Sequence, residues 1–438
     1  MGQLRFGTDG VRGRVPDQLN TDYVARLARA AARVLGPGPW LVGEDTRESS
    51  TMLAAAFRSG LRAGGGEPQL AGVVSTPALA FAASELSQPA AMITASHNPW
   101  FDNGVKVFAR GGVKLSDEIE AAIEAAIEED LVPPATERRD DPRQPVSEMY
   151  VVDGFRDYAA DALGGLRIAL DCANGATYAI APQVVSELGG EVIVLHAEPN
   201  GRNINDHCGA THPVDLQRAV VAHGADLGLA FDGDGDRVIA VDHLGNIVDG
   251  DRMIALAALQ LREEGQLTND TVVVTVMSNL GFHKAMAAAH INVVTTAVGD
   301  RFVLEALEAG DYAVGGEQSG HIIYRHLATT GDGLLAGVRL AAHVHSTGRP
   351  LSDLAGTVMS SYPQVLVNVK VADRHPLVAA ELADEIAAAE SALDGEGRIL
   401  VRPSGTEPLI RVMVEAATHE MARSTADQLA KVVQARFG

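Results

Sequence analysis

Cysteine, aromatic side chains and positive charge are all scarce in this chain, and each shortage excludes something. Only Cys172 and Cys208 occur, far apart and outside any Cys-x-x-Cys spacing, so the sequence suggests neither a disulfide framework nor a zinc site. Two buried thiols are the expectation. Aromatics make up 4% of the 438 residues, too few for the stacking platforms that hold nucleic-acid bases. Lys and Arg number 35 against 57 Asp and Glu, and the formal charge of −22 opposes a nucleic acid or an anionic membrane as partner. No apolar run reaches the roughly 18 residues of a membrane span. The start, Met1-Gly2-Gln3-Leu4-Arg5-Phe6, lacks both an apolar signal-peptide core and the Ser or Thr of a myristoylation motif. A cytoplasmic protein is expected.

What remains is an ordinary globular composition, 46% hydrophobic and 21% charged, on a chain too long for one core. Apolar residues at Tyr23, Val24, Leu27, Ala28, Ala31, Val34 and Leu35 predict a helix over 21–36, followed by a strand over 40–43. A last helix over 418–437 is expected to bury Met421, Leu429, Val432 and Val433. Three apolar strands, beginning near Leu41, Ile168 and Val272, each run into a small polar loop and then a helix, as one α/β unit used three times would. Seams fall in the charged, proline-bearing stretch 128–146, around Leu244-Gly245-Asn246, and before Pro363. Four domains result, at 1–148, 149–248, 249–364 and 365–438, the last a smaller α+β unit that opens on the alternating run 365–371.

Several stretches carry chemistry. In Ile93-Thr94-Ala95-Ser96-His97-Asn98-Pro99 a hydroxyl stands beside an imidazole in a loop held by proline. The Gly-x-Ser-x-Gly elbow of serine hydrolases is absent, because Thr94 and Asn98 occupy the glycine positions. Lys106 lies ten residues on, on a probable strand, where it can face the same cleft as Ser96. The stretch Leu229-Ala230-Phe231-Asp232-Gly233-Asp234-Gly235-Asp236-Arg237 empties a buried strand into three carboxylates separated by glycines. Such charges repel unless a divalent cation joins them, and an all-oxygen set suits Mg²⁺ or Ca²⁺. An EF-hand fails, since its sixth position is Arg237 and its twelfth His243. The loop Gly315-Gly316-Glu317-Gln318-Ser319-Gly320-His321 sets Glu317 and Ser319 where they can contact sugar hydroxyls. Arg402-Pro403-Ser404-Gly405-Thr406-Glu407-Pro408-Leu409-Ile410-Arg411 reads as a phosphate cradle, two guanidinium groups around a Ser-Gly-Thr turn.

Together with Phe6-Gly7-Thr8-Asp9-Gly10-Val11-Arg12-Gly13, these blocks resemble, in order and across the whole chain, the signatures of the α-D-phosphohexomutase family. Arg202-Asn203-Ile204-Asn205, Cys208-Gly209-Ala210-Thr211-His212 and Val298-Gly299-Asp300-Arg301 look most like its bacterial amino-sugar branch. The resemblance implies four domains around a central cleft, the first three with a shared mixed α/β core. It implies an intramolecular phosphotransferase that interconverts glucosamine 6-phosphate and glucosamine 1-phosphate through a phosphoserine and a 1,6-bisphosphate, supplying UDP-N-acetylglucosamine synthesis. Phosphomannomutase/phosphoglucomutase chemistry with the same machinery is the alternative, and a phosphosugar-binding protein without turnover is the non-enzymatic one. Ser96 would carry the phosphoryl group and bind Mg²⁺ together with Asp232, Asp234 and Asp236. Arg237, Glu317 and Ser319 would meet the sugar, and Arg402, Ser404, Gly405, Thr406 and Arg411 the phosphate that is not transferred. Lys106 is assigned general acid/base work provided its surroundings lower its pKa, with His97 as an orienting or proton-carrying neighbour and Arg12 as a further cation. A hexose 1,6-bisphosphate is a candidate activator, and some family members form homodimers.

Overall fold

The computed structural model describes residues 4–129, 140–373, 375–403 and 408–438. The first sheet holds β1 (Val11–Arg14), β2 (Gly38–Glu44), β3 (Gly66–Val73), β4 (Ala90–Ile93), β5 (Asp102–Ala109) and the short β6 (Val113–Lys114). The second holds β7 (Arg167–Asp171), β8 (Glu191–Leu195), β9 (Leu227–Phe231), β10 (Val238–Asp242) and β11 (Ile247–Val248). The third holds β12 (Thr271–Thr275), β13 (Asn292–Thr296), β14 (Val314–Gly316) and β15 (Ile322–Tyr324).

All three share one strand order. β3-β2-β4-β5, β8-β7-β9-β10 and β13-β12-β14-β15 each set three parallel strands beside one antiparallel strand. The repeat expected from the Leu41, Ile168 and Val272 strands is therefore real: these are β2, β7 and β12, the central strand of each unit. They read as continuous apolar runs because a parallel strand with layers on both faces has no solvent side, and Leu41, Ile168 and Val272 are all fully buried. The equivalence places three connections, β4–β5, β9–β10 and β14–β15, at matching positions, and these are the Ser96, Asp232 and Glu317 loops.

The helix predicted over 21–36 runs Thr21–Leu35, started by Asn20, whose side chain accepts the Tyr23 N–H, and ended at Gly36, where φ is 95°. The helix Gly333–Thr347 starts at Asp332, which accepts from Leu335 N at 2.9 Å and from the Tyr150 hydroxyl at 2.5 Å. Burial pushes the Asp332 carboxyl up to about 6 from an ordinary 3.8, despite those bonds. The native chain thus holds this proton more tightly than the unfolded chain, and stability falls as pH rises from about 4 to about 6, by about 3 kcal/mol. Asp332→Asn keeps an acceptor for Leu335 and removes the charge. Its melting temperature should exceed the native value at pH 7.5, with the gap closing toward pH 4; a pH-independent difference would contradict this account.

The chain divides into two compact units, one through Met277 together with Ile291–Val358, the other Ser278–His290 with Met359–Gly438. The second unit contains the fourth sheet, β16 (Gln364–Lys370), β17 (Gly397–Pro403) and β18 (Leu409–Ala416), antiparallel in the order β16-β18-β17. Its covering helix, His419–Phe437, buries Ala422, Ala426, Leu429, Val433 and Phe437. Of the expected stripe, Leu429 and Val433 are buried and Val432 packs partly against the same core, whereas Met421 is exposed and Ala422 takes its place. The helix Leu280–Ala288 follows β12 in the chain yet packs in the second unit. Glu415, wholly buried, accepts from Leu280 N at 2.9 Å, Asn279 Nδ2 at 3.2 Å and Arg398 Nη2 at 3.1 Å. Removing one partner of such a buried network costs about 3–5 kcal/mol. Glu415→Ala should therefore speed hydrogen exchange throughout β17 and β18, and unchanged protection there would refute the network's role. Among the described residues no helix is long and apolar enough to cross a membrane.

Candidate active site

The β4–β5 connection is held from beneath by one buried guanidinium. Arg47, at the end of the polar loop after β2, donates to the carbonyls of Ser96 (2.8 Å), Asn98 (2.9 Å), Pro99 (2.5 Å) and Asp102 (3.2 Å). Asp45 anchors it at 2.8 Å and also accepts from Thr94 Oγ1 at 2.7 Å. Asn205 Nδ2 adds bonds to the Ser96 and Asn98 carbonyls at 2.9 and 3.1 Å. So clamped, Ser96 adopts φ 52°, a left-handed conformation uncommon outside glycine that packing must sustain. Its buried hydroxyl donates to Asp232 Oδ2 at 2.6 Å and lies 3.2 Å from His97 Nδ1.

The β9–β10 connection supplies the facing carboxylates. A Cβ on Gly233 would lie 2.6 Å from the Ser96 carbonyl oxygen, so only glycine lets the two loops approach this closely. Asp232, Asp234 and Asp236 are all buried, with ligand atoms within 4.8 Å of one another. Charges about 4 Å apart repel by about 4 kcal/mol per pair at an effective dielectric of 20, so the cluster needs cations. One is present: Lys106 Nζ lies 2.8, 2.9 and 2.7 Å from Oδ2 of Asp9, Asp234 and Asp236. Thr76 Oγ1 also donates to Asp234 Oδ2, at 2.6 Å. The other oxygens, Asp234 Oδ1 and Asp236 Oδ1, are buried without a hydrogen-bond partner. Orphaned oxygens in a three-carboxylate cluster that also accepts the Ser96 hydroxyl fit a divalent cation with hard oxygen ligands.

The electrostatics follow from this crowding. Burial, with Asp236 and Asp234, raises the Asp232 carboxyl well above its ordinary range. Burial would raise Asp236 as well, but Lys106 and His321 outweigh it and hold that carboxyl well below the usual range. Asp9, pulled down by Lys106, Lys114 and Arg12 against its burial, behaves likewise. The condition attached to Lys106 as an acid/base is not met here. Burial alone would lower its pKa, but Asp234, Asp236 and Asp9 hold it well above the ordinary lysine value. His97 is the opposite case: burial, then Arg237 and Arg12, push it down to about 4, so its imidazole is neutral near pH 7.

The remaining expected residues are placed as follows. Arg12, on β1, pairs with Asp9. Arg237 donates its backbone N–H to Asp232 Oδ1 at 3.2 Å, while its Nε makes no hydrogen bond and lies 3.9 Å from Asp236 Oδ1. Glu317, half-buried in the β14–β15 turn, accepts from Gly299 N at 3.2 Å, and Ser319 is exposed in the same turn. In the second unit Arg402 and Arg411 sit directly opposite each other on β17 and β18, hence on one face. Like charges so placed are destabilising without an anion between them; burial and Arg411 lower the Arg402 pKa, and Arg411 Nε is buried unpartnered. Ser404, Gly405 and Thr406 lie outside the described residues.

Sequence reading overlooked several participants. Asp9, in the Phe6–Gly13 stretch, carries no signal of its own in the sequence, yet it meets Lys106, Lys114 and Arg12. Lys114 also pairs with Asp300, joining β6 to the start of the helix Asp300–Gly310. His321 accepts the Gly331 N–H at Nε2 (3.1 Å) and turns Nδ1 toward Asp236 Oδ1 at 3.7 Å. For Arg47 a signal existed, because its loop follows the central strand of the repeated unit.

Comparison with known proteins agrees with this layout. Models of the phosphoglucomutase/phosphomannomutase family match in series: alpha/beta/alpha domain I at residues 3–132, domain II at 149–245, domain III at 249–362 and the C-terminal domain at 366–432. The chain is 47% identical to phosphoglucosamine mutase of Rhodococcus opacus over 449 residues, covering 99% of both. It is 49% identical to phosphoglucosamine mutase of Frankia alni over 448 residues, covering 98% of both. The crystal structure of a phosphoglucomutase/phosphomannomutase family protein from Burkholderia thailandensis superposes with a TM-score of 0.84 at 24% identity, over 99% of this chain and 98% of that one.

Proposed function

This chain belongs to the phosphoglucomutase/phosphomannomutase family, and on that premise we propose that it interconverts glucosamine 6-phosphate and glucosamine 1-phosphate through a phosphoserine at Ser96. The observation that carries the reading is the Ser96 hydroxyl, 2.6 Å from Asp232 at the edge of a buried three-carboxylate cluster with orphaned oxygens. The Ser96 hydroxyl faces carboxylates, a setting that suits a phosphoryl group shared with a cation. The choice of sugar rests on the Rhodococcus and Frankia relatives.

The reaction needs two transfers in opposite senses. In the first, the free hydroxyl of the sugar phosphate attacks phosphorus as the bond to Ser96 Oγ breaks, leaving a 1,6-bisphosphate and unmodified Ser96. After the bisphosphate turns, Ser96 Oγ takes the phosphate from the other end, and the serine is charged again. Mg²⁺, held by Asp232, Asp234, Asp236 and the serine phosphate, would neutralise charge on the transferred oxygens. Lys106, kept protonated by its carboxylates, stabilises the same charge as a donor rather than as a base. In the first transfer the neutral His97 imidazole, 3.2 Å from Ser96 Oγ, takes the proton of the attacking sugar hydroxyl and delivers it to the departing Ser96 Oγ, and in the second it carries the Ser96 proton to the departing sugar oxygen. Glu317 and Ser319 read sugar hydroxyls, and Arg402 and Arg411 with Ser404, Gly405 and Thr406 grip the stationary phosphate.

Two measurements test this. After incubation with glucose 1,6-bisphosphate, intact mass should show one added phosphate, mapped to Ser96; an unmodified serine would reject the phosphoserine route. Rates on glucosamine 6-phosphate, glucose 1-phosphate and mannose 1-phosphate, compared side by side, should favour the amino sugar. A preference for mannose would change the substrate and keep the mechanism.

A further inference from the structure

A second cluster of metal-ligating side chains lies in the β7–β11 sheet, outside the phosphoryl-transfer site. Asp171 is the last residue of β7, His196 directly follows β8, and Cys208 is buried in the long segment leading to the next helix. Each offers one ligand atom, and those atoms lie within 4.8 Å of one another. Three separate segments contribute, so no spacing in the sequence could reveal the cluster.

The geometry around each ligand is that of a supported site. Backbone N–H groups of Ala173 and Gly209, both at 2.9 Å, fix the two oxygens of the Asp171 carboxylate. His196 Nδ1 lies 3.0 Å from Asp171 Oδ1, a pairing in which an incoming cation would take the place of the ring proton. Its Nε2 faces Asp215 Oδ2 at 3.6 Å, and 27% of the side chain is exposed, which leaves a path from solvent. A metal-ligating histidine ordinarily shows this pattern, one nitrogen toward the ion and the other toward a carboxylate.

We propose that Asp171, His196 and Cys208 form a second cation site for a borderline-soft divalent ion of the Zn²⁺ class, with a fourth position open to water. Thiolate, imidazole and carboxylate together match that class, whereas the oxygen-only Asp232 cluster matches Mg²⁺. A thiol ligates as thiolate, so the ion must displace a proton from Cys208, and its affinity rises with pH. Bound there, it ties β7 to the segment that carries Asn205. That residue donates its N–H to the Ala173 carbonyl at 2.9 Å and its side chain to the Ser96 carbonyl at 2.9 Å. The ion thereby braces the serine loop from the second domain.

The test is titration of the chelator-stripped full chain with Co²⁺, followed by absorption. A thiolate-to-cobalt charge-transfer band should grow to one equivalent and disappear when Zn²⁺ is added; the Asp232 cluster, lacking sulfur, contributes no such band. The band should persist in Cys172→Ser, vanish in Cys208→Ser, and titrate at least about tenfold more weakly in His196→Gln. Zn²⁺ should raise the melting temperature of the native chain and of Cys172→Ser. No band in the native chain, or a band that survives Cys208→Ser, would overturn the proposal. Should Cys208→Ser fail to fold, His196→Gln, at a partly exposed position, decides instead, and an unchanged titration there overturns it equally.

Discussion

Ser96→Ala is expected to reduce kcat for glucosamine 6-phosphate by about 10⁴-fold or more and to leave the intact mass without phosphate after exposure to glucose 1,6-bisphosphate. The size follows from the covalent role, because residues acting as one unit with a nucleophile do not substitute for it. Arg47 and Asn205 hold the loop by the Ser96 carbonyl, not by its side chain, so the backbone clamp survives the substitution. The loss should therefore be a loss of chemistry, read in kcat with little change in melting temperature. Turnover within about tenfold of native would mean that another group carries the phosphate.

Much of the architecture was legible in the residues, and for identifiable reasons. The strands through Leu41, Ile168 and Val272 are buried on both faces, so each had to be written as an apolar run, and three such runs before polar loops exposed the repeat. The matching β4–β5, β9–β10 and β14–β15 connections were hidden, because Thr94 to Pro99, Asp232 to Arg237 and Glu317 to Gly320 share position but no residues. Asp232, Asp234 and Asp236 announced a cation site by like charge at close spacing. The state of Lys106 could not be read this way. It depends on Asp9 and on the β9–β10 loop, each far from it in sequence, and only their convergence shows that its charge is stabilised. The helix Leu280–Ala288 illustrates the same limit, since its place is set by Glu415 on a distant strand.

Asp234→Ala should lower kcat/KM by more than about 100-fold and shift the Mg²⁺ requirement to higher concentration. Asp234 is fully buried, accepts from Thr76 and Lys106, and keeps Oδ1 unpartnered, so its charge serves both the lysine and a cation. Asp234→Asn separates these contributions. The amide oxygen can still accept from Thr76 but brings no charge, so a defect nearly as large as that of the alanine variant identifies charge as the requirement. With one counter-carboxylate gone, the Lys106 pKa should fall in both variants, and activity should decline at a lower alkaline pH than in the native enzyme. A normal Mg²⁺ response in either variant would remove this aspartate from the cation site.

The shared strand order of the three sheets has a practical corollary. Each unit presents one loop from the same connection, and under the proposed reading the first carries the phosphate, the second the counter-ion and the third the sugar contacts. Specificity and chemistry then reside on separate, interchangeable modules. Grafting the β14–β15 hairpin turn from a relative with a different sugar preference would redirect selectivity while leaving the Arg47 clamp and the aspartate cluster in place. An ancestral unit of this kind could diversify its substrates by exchanging one turn, without rebuilding the catalytic apparatus.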